Sequence, residues 1–239
     1  MVICGYEKFS MVDFDGKIAC TVFTGGCNFR CPFCHNAPLV VGNLNSQRID
    51  EAEVFDYLQK RKGLVDAVCV TGGEPTLQPD LCDFLTKVRG MGYATKLDTN
   101  GLRPDVLEEV LNKKLVDFVA MDVKNSPEKY APTVGVEGVD MGKILKSMQL
   151  LKDSGVDYEF RTTIIKEFHT AEDMQKIAYL ISGAPRYFMQ KYNDNDGCIA
   201  HGYTPVDKAT AESYKTYFAE KVGVVSLREI GRASCRERV

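Results

Sequence analysis

Residues 67–90 read AVCVTGGEPTLQPDLCDFLTKVRG, and this stretch contains the unit from which the fold can be predicted. It begins with a short apolar run, Ala67–Val70, without strict alternation, which is typical of a strand covered on both faces of a parallel sheet. The glycines and the proline that follow favour a turn. Apolar residues then recur at helical spacing, so the whole stretch predicts a strand, a turn and a helix. The helical positions are Leu81, Phe84, Leu85 and Val88.

The same order of elements recurs along the rest of the chain at a spacing of about thirty residues. Helical patterns with recognisable starts at Asp50, Pro104 and Thr170 lie between the apolar runs. Repeated strand–helix units predict an α/β fold with a parallel sheet, either a partial barrel or an open sheet, with ligands at the carboxyl ends of the strands. The six predicted strands are Ile18–Phe23, Ala67–Val70, Ala94–Asp98, Phe118–Asp122, Tyr158–Thr163 and Tyr187–Gln190.

No linker-like segment divides the chain, so residues 1–230 are predicted to form a single domain. Residues 231–239 read GRASCRERV, lack apolar periodicity and resemble a vector-derived or assembly remnant. The chain is 44% apolar and 26% charged, with a formal net charge of −3, as in an average soluble protein. This balance argues against a general nucleic-acid-binding surface, and no apolar run reaches the roughly 20 residues of a membrane helix. The N-terminus lacks the order of a signal peptide, so we expect a cytoplasmic protein without a membrane partner.

The nine cysteines are unevenly spaced and odd in number, which favours metal or redox chemistry over a disulfide framework. Three of them, Cys27, Cys31 and Cys34, follow the first predicted strand with the spacing C-x3-C-x2-C. Thiolates suit zinc or iron–sulfur clusters, and structural zinc usually takes four protein ligands in two pairs. No second pair accompanies these three, and His35 is poorly placed to bind the same ion as its neighbour Cys34. Three thiols with one open position indicate a reactive metal centre, with structural zinc as the less favoured alternative.

A second motif follows the next predicted strand, where residues 72–75 read GGEP. Taken alone, it is an ordinary strand-to-helix turn with a solvated Glu74. Together with the cysteine loop, however, the chain resembles the radical S-adenosylmethionine (SAM) enzymes over nearly its whole length. The resemblance implies a partial (β/α)6 barrel in which the three cysteines hold a [4Fe-4S] cluster. The open iron of that cluster would bind the amino and carboxylate groups of SAM.

The resemblance further implies which residues contact SAM. The turn after the second strand, Gly72, Gly73 and Glu74, would lie at the methionyl ammonium group. Asp98 and Thr99, which end the third strand before an Asn-Gly turn, would lie near the sugar and methionine portions. Two residues of the cysteine loop complete this part of the cofactor-binding set: Phe33 and Asn36.

The resemblance also implies that charged residues at the ends of later strands contact the cofactor. Asp122 and Lys124 alternate onto one side of the end of the fourth strand, where a local ion pair is the simpler interpretation. In the glycyl-radical activases, a subgroup with this Asp-x-Lys pattern, both residues contact the cofactor. Arg161, on the fifth strand, either binds a carboxylate through two hydrogen bonds or forms a salt bridge inside the barrel.

The Cys-His-Asn ending of the cysteine loop is also similar to that of these activases. Among them, the chain most resembles the longer form of the proteins that activate anaerobic ribonucleoside-triphosphate reductase, on segments that include residues 12–17, 97–101 and 160–163. It departs from that pattern at Gly25, where a polar residue is expected, and at Asp15, where proline is frequent. Neither departure affects a proposed cluster ligand.

The resemblance therefore implies an oxidoreductase that activates anaerobic ribonucleotide reductase. A low-potential donor such as flavodoxin or ferredoxin would reduce the cluster, and SAM would be cleaved to methionine and a 5′-deoxyadenosyl radical that removes a hydrogen from a glycine of the partner. The cofactors carry out the radical chemistry, so no side chain is expected to act as a general acid or base. The alternatives are an activase of pyruvate formate-lyase, a radical SAM enzyme that modifies a small molecule or peptide, and a non-catalytic iron–sulfur or zinc module.

Overall fold

The computed structural model describes residues 1–229 and contains one eight-stranded sheet. Its strands are β1 (Ile3–Ser10), β2 (Ala19–Thr24), β3 (Ala67–Gly72), β4 (Ala94–Thr99), β5 (Phe118–Asp122), β6 (Asp157–Ile164), β7 (Arg186–Lys191) and β8 (Val224–Glu229). They lie side by side in chain order; β1 is antiparallel to β2, and every other neighbouring pair is parallel. Because the edge strands β1 and β8 do not pair with each other, the sheet is a barrel left open on one side.

Within the described residues, eight α-helices lie between the strands. They are α1 (Ala37–Val40), α2 (Glu51–Lys60), α3 (Leu81–Gly90), α4 (Pro104–Asn112), α5 (Tyr130–Val134), α6 (Met141–Asp153), α7 (Ala171–Leu180) and α8 (Lys208–Tyr214). Five of them, α2, α3, α4, α6 and α7, fall where apolar residues recur at helical spacing in the sequence. Asp50 caps α2 through the N–H of Ala52, and Thr170 and Asp173 form a reciprocal capping box on α7. No helix among the described residues is long and apolar enough to cross a membrane.

The six predicted strands are confirmed as β2–β7, with each end within two residues of the predicted one. The α/β fold and the partial barrel are confirmed as well. Two edge strands were not predicted: β1, which pairs with β2 through two irregularities in register, and β8, which makes a seventh parallel strand. The tail predicted at residues 231–239 lies outside the described residues.

The side chains that point into the barrel change character along the strands. Near the amino ends of the strands, alanines pack around Phe118, and Phe14 from the β1–β2 connection closes this end of the barrel. The tilted rings of Phe14 and Phe118 lie 5.7 Å apart. Toward the carboxyl ends the inward positions are polar or charged. The apolar plug therefore supports a polar chamber at the end of the barrel where ligands are expected.

Candidate active site

A cavity of about 440 Å³ opens at the carboxyl ends of the strands. Its wall is built from the loop after β2 and from the ends of β3, β4, β5 and β6. All thirteen residues predicted to bind the cofactor or cluster line this one cavity, although they come from five separate segments of the chain. They are Cys27, Cys31, Phe33, Cys34, Asn36, Gly72, Gly73, Glu74, Asp98, Thr99, Asp122, Lys124 and Arg161.

The thiols of Cys27, Cys31 and Cys34 share one wall, and the other five described cysteines do not line the cavity. The N–H of Phe29 donates to Cys27 Sγ at 3.3 Å, and the N–H of Cys34 donates to the Cys31 carbonyl oxygen at 3.0 Å. Burial raises the pKa of Cys27 to about 11, with the negative charge of Glu74 adding to the effect, and burial raises the pKa of Cys31 to about 12. Binding of a metal cation would release these thiol protons.

Thiolates are the donors that hold iron–sulfur clusters, and each thiolate binds one iron of the cluster. A cluster therefore requires thiols that share a cavity wall, rather than side chains that converge on a single point. Within residues 1–229, no three His, Cys, Asp or Glu side chains are placed to hold a single metal ion. The donor set and its position at the cavity fit a cluster with one iron left open.

A second loop, residues 192–204, packs against the cysteine loop and is hydrogen-bonded to it. The sequence did not predict this contact. The Nε2 atom of His35 lies 2.7 Å from the Asn193 carbonyl oxygen, so the ring contacts this second loop. A Cβ atom on Gly197 would lie only 2.6 Å from the His35 carbonyl oxygen, so the close approach requires glycine. Three backbone hydrogen bonds of 2.7–3.2 Å join the loops: Ala37 N–H to Gly197 O, Ile199 N–H to Cys34 O, and Ala200 N–H to Pro32 O.

Glu74 is buried and does not face solvent, with 1% of its surface exposed. Its Oε1 accepts hydrogen bonds from the N–H and hydroxyl of Thr76 and the hydroxyl of Thr99, and its Oε2 accepts from the N–H of Asn100 at 2.7 Å. Burial raises the pKa of Glu74, and these four hydrogen bonds oppose that effect without cancelling it. The carboxylate thus ties the turn after β3 to the end of β4 and orients Thr99, a predicted cofactor contact.

The two glycines before Glu74 allow the turn after β3 to pack directly against the cysteine loop. Gly72 has a φ of +118°, a conformation that only glycine adopts without strain. A Cβ atom on Gly73 would lie 2.0 Å from the Gly26 carbonyl oxygen, and the same oxygen accepts the N–H of Glu74 at 2.7 Å. Asn36 adds a side-chain link, from its Nδ2 to the Gly72 carbonyl oxygen at 3.2 Å. The two motifs found in the sequence therefore form one rigid corner of the cavity.

Five charged side chains with alternating signs run along the cavity floor: Lys96, Asp98, Arg161, Asp122 and Lys124. Lys96 Nζ lies 3.4 Å from Asp98 Oδ1, and Arg161 Nη1 lies 3.2 Å from Asp98 Oδ2. The Nε of Arg161 donates to Asp122 Oδ1 at 2.9 Å, and Lys124 Nζ donates to Asp122 Oδ2 at 2.8 Å. The expected local pair of Asp122 and Lys124 and the expected salt bridge of Arg161 are both present, as parts of one chain that also includes the unpredicted Lys96.

The electrostatics of this charge chain favour the ionised form of every member with a resolved pKa shift. Burial alone would raise the pKa of Asp122, but the positive charges of Arg161 and Lys124 lower it to about 2. Burial disfavours the charged forms of Lys124 and Arg161, yet the carboxylates beside them raise both pKa values. The chain holds the ammonium of Lys124 and the guanidinium of Arg161 at the cavity, where they can bind an anionic group such as a carboxylate.

The sequence of this chain is similar to those of a known protein family and of several named enzymes. Residues 21–181 match the family model described as the radical SAM superfamily. A protein of Methanocaldococcus jannaschii, assigned by name to the glycyl-radical enzyme activating enzymes, is 33% identical over 200 residues, covering 82% of this chain and 81% of the relative. The pyruvate formate-lyase-activating enzyme of Clostridium pasteurianum is 29% identical over 203 residues, covering 76% of this chain and 83% of the relative.

Solved structures share the fold at lower sequence identity. Streptococcus suis SuiB bound to S-adenosylmethionine matches with a TM-score of 0.65 and 17% identity, over 86% of this chain and 48% of SuiB. This chain thus spans about half the length of SuiB. A domain of a pyruvate-formate lyase-activating enzyme from Bacteroides vulgatus matches with a TM-score of 0.56 and 17% identity, over 70% of this chain and 99% of that domain.

Proposed function

The chain belongs to the radical SAM superfamily and is a glycyl-radical enzyme activase, and we propose that the enzyme it activates is an anaerobic ribonucleoside-triphosphate reductase. The observation that carries the site assignment is the convergence of all thirteen predicted residues on one cavity. The family uses a [4Fe-4S] cluster and SAM. When bound and reduced, these cofactors supply the carbon-centred radical that removes a hydrogen atom from a glycine.

In this proposal the protein holds and orients the cofactors. Cys27, Cys31 and Cys34 would ligate three irons, since they are the described cysteines that line the cavity. Lys124 and Arg161, fixed by Asp122, would receive the carboxylate of SAM. Because these cations are already held in place, they need little rearrangement when the ligand binds.

The remaining predicted contacts are assigned by their place on the wall. Gly72 and Gly73 expose backbone groups to the cavity, and Glu74 holds Thr99 and Asn100 in position beside them. Phe33 and Asn36 would contact the cofactor from the cysteine loop. No side chain needs to transfer a proton to a reacting group, because the reaction moves a hydrogen atom between carbon atoms.

The reductase is proposed as partner because the chain resembles the activases of that enzyme in its sequence segments, at the cysteine loop and at residues 12–17 and 97–101. A low-potential flavodoxin or ferredoxin is proposed as the electron donor. Pyruvate formate-lyase is the second candidate partner, since an activating enzyme of that name is similar over most of both chains. These partners differ in the surface that surrounds the target glycine, so the choice is open to a direct experiment.

The test is anaerobic electron paramagnetic resonance (EPR) of the protein reconstituted with iron and sulfide, reduced, and mixed with SAM and each candidate partner in turn. We expect a glycyl-radical doublet on the reductase, and no doublet when its radical glycine is replaced by alanine. Cys27→Ala, Cys31→Ala and Cys34→Ala should each abolish cluster content and radical formation. Cys82→Ala, outside the cavity, is the matched control and should retain both.

Each other outcome selects a different alternative. A doublet on pyruvate formate-lyase alone would replace the proposed partner. A cluster signal that changes with SAM, without a radical on either partner, would favour modification of a small molecule or peptide. Absence of any cluster signal would overturn the cofactor assignment and leave a metal-binding module.

A further inference from the structure

The open side of the barrel is bridged by an ion pair between the two ends of the described chain. Arg228 on the edge strand β8 donates through Nη2 to Asp15 Oδ2 at 3.1 Å, and Asp15 belongs to the connection between β1 and β2. The edge strands themselves are not hydrogen-bonded to each other. This contact therefore spans the gap that the sheet leaves unclosed.

The two members of the bridge are held very differently. The Arg228 guanidinium lies 3.7 Å from the centroid of the Phe188 ring, and its Nη1 donates to Oε1 of the buried Glu159 at 3.2 Å. These contacts keep Arg228 in place without any help from Asp15. The Asp15 side chain is 54% exposed, so it can turn away into solvent at low cost. The arginine is the fixed half of the bridge, and the aspartate is the movable half.

The bridge belongs to the same cavity as the thiols. Arg228 and Asp15 both line it, together with Met11 and Val12 of the β1–β2 connection. Met11 is 71% exposed and Val12 is 54% exposed, so this edge of the cavity presents apolar side chains to solvent. Elsewhere the barrel wall consists of strands hydrogen-bonded to their neighbours. Among residues 1–229, this is therefore the side of the cavity that no hydrogen bonding between neighbouring strands closes.

We propose that Arg228 is a recognition residue for the polypeptide substrate. The segment that carries the target glycine enters beside Met11 and Val12, displaces Asp15 and places a backbone carbonyl oxygen on the Arg228 guanidinium. A carbonyl is the acceptor to expect, because a glycine has no side chain and its neighbouring peptide groups are the polar atoms certain to be present. This inference rests on the proposed activation of a glycyl-radical enzyme and adds the place where the substrate is recognised.

The test compares Arg228→Gln and Asp15→Asn with the wild type in two assays. The first measures deoxyadenosine formed from SAM in the absence of any partner, and both variants should match the wild type. The second measures glycyl-radical formation against the concentration of the anaerobic reductase. Arg228→Gln should raise the KM for the reductase about tenfold, as expected for loss of a charged hydrogen-bond donor.

The Asp15→Asn variant should change the KM in the opposite direction. Substrate entry would no longer have to break an ion pair, so the KM should fall by about two- to fivefold. The matched control is Arg186→Gln, which alters an arginine on β7 that does not line the cavity and should leave the KM unchanged.

Two results would overturn the inference while leaving the proposed function intact. One is that both variants form the glycyl radical with the same KM for the reductase as the wild type. The other is an equal rise in KM for both variants, which would mean that the bridge is a structural closure. A wild-type protein that forms no radical on the reductase would instead count against the proposed function, which separates the two failures.

Discussion

Replacing Lys96 by methionine tests the charge chain at the member that sequence reasoning missed. The Lys96 side chain is buried inside the barrel; its ammonium donates to the Asp13 carbonyl oxygen and lies 3.4 Å from Asp98 Oδ1. Among the described residues, Asp98 Oδ1 is buried and accepts no hydrogen bond, so the ammonium is its compensating charge. Lys96→Met keeps the length of the side chain and removes that charge. We expect a less stable protein, because a buried carboxylate oxygen is left without its cation.

The magnitude follows from what remains around Asp98. Removal of one partner from a buried ion pair costs about 3–5 kcal/mol, and the lower end applies here because Arg161 still holds Asp98 Oδ2 at 3.2 Å. A loss of about 3 kcal/mol in unfolding free energy corresponds to a fall in Tm of roughly 6–12 °C for a chain of this size. Asp98→Asn removes the charge that needs compensation. The double variant Lys96→Met/Asp98→Asn should therefore lose less than the sum of the single losses, with a coupling of about 1–3 kcal/mol.

The assay is urea denaturation of the cluster-free protein under reducing conditions, followed by circular dichroism. Lys113→Met is the control, because Lys113 forms an exposed pair with Glu109 on α4 and its loss should have no resolvable effect. Wild-type stability in Lys96→Met would refute the reasoning. So would single losses that simply add in the double variant, since the two side chains would then act independently.

Three other expectations concern different parts of the site. The folded pKa of Asp122 is about 2, below its ordinary value of 3.8. Its contribution of about 2 kcal/mol to the free energy of unfolding is therefore complete above about pH 4 and is lost as the pH falls towards 2. Stability should consequently fall less steeply with acid in Asp122→Asn than in the wild type. Gly73→Ala would place a Cβ atom 2.0 Å from a backbone oxygen and should lower both Tm and iron content, whereas Gly90→Ala, with nothing within 4 Å, should raise stability by up to about 1 kcal/mol. Gly197→Ala should loosen the cysteine loop and shorten the lifetime of the cluster in air, measured by the decay of its visible absorbance.

The central strands were predictable because several of them are apolar runs of strand length and all of them are followed by a helical pattern or a connection of helix length. Burial on both faces removes the alternation that an exposed strand would show, and β5 was predicted with its observed ends. The edge strands lack this signal. β1 carries Glu7 and Lys8 near its end and pairs with β2 through irregular register, and β8 ends in charged residues. Their pairing depends on the barrel already formed beside them, which no local pattern records.

The candidate site was predictable where its residues lie close to a sequence motif. It was less predictable where it depends on contacts between residues that are far apart in the sequence. Lys96 could have been found, because strand alternation places it on the same face as Asp98, and a lysine within an apolar strand is a signal of function or pairing. Glu74 could not be recognised as buried, since its four hydrogen bonds come partly from the next strand. Arg228 reaches Asp15 across 213 positions of sequence. Spacing within the chain contains no information about such a contact.

Burying these charged side chains in the barrel costs more folding free energy than burying apolar ones, which indicates that they serve ligand binding. Buried ion pairs are often no more stabilising than well-packed apolar side chains of the same volume, so the chain of five charges is weak evidence for stability alone. Its effect is to hold Lys124 and Arg161 at fixed positions in the cavity that the thiols also line. A ligand carboxylate that arrives there finds its cations already in place and completes the alternation of charge. Preorganisation of that kind favours the binding and orientation of an amino-acid head group at the expense of stability, as a proposed SAM site requires.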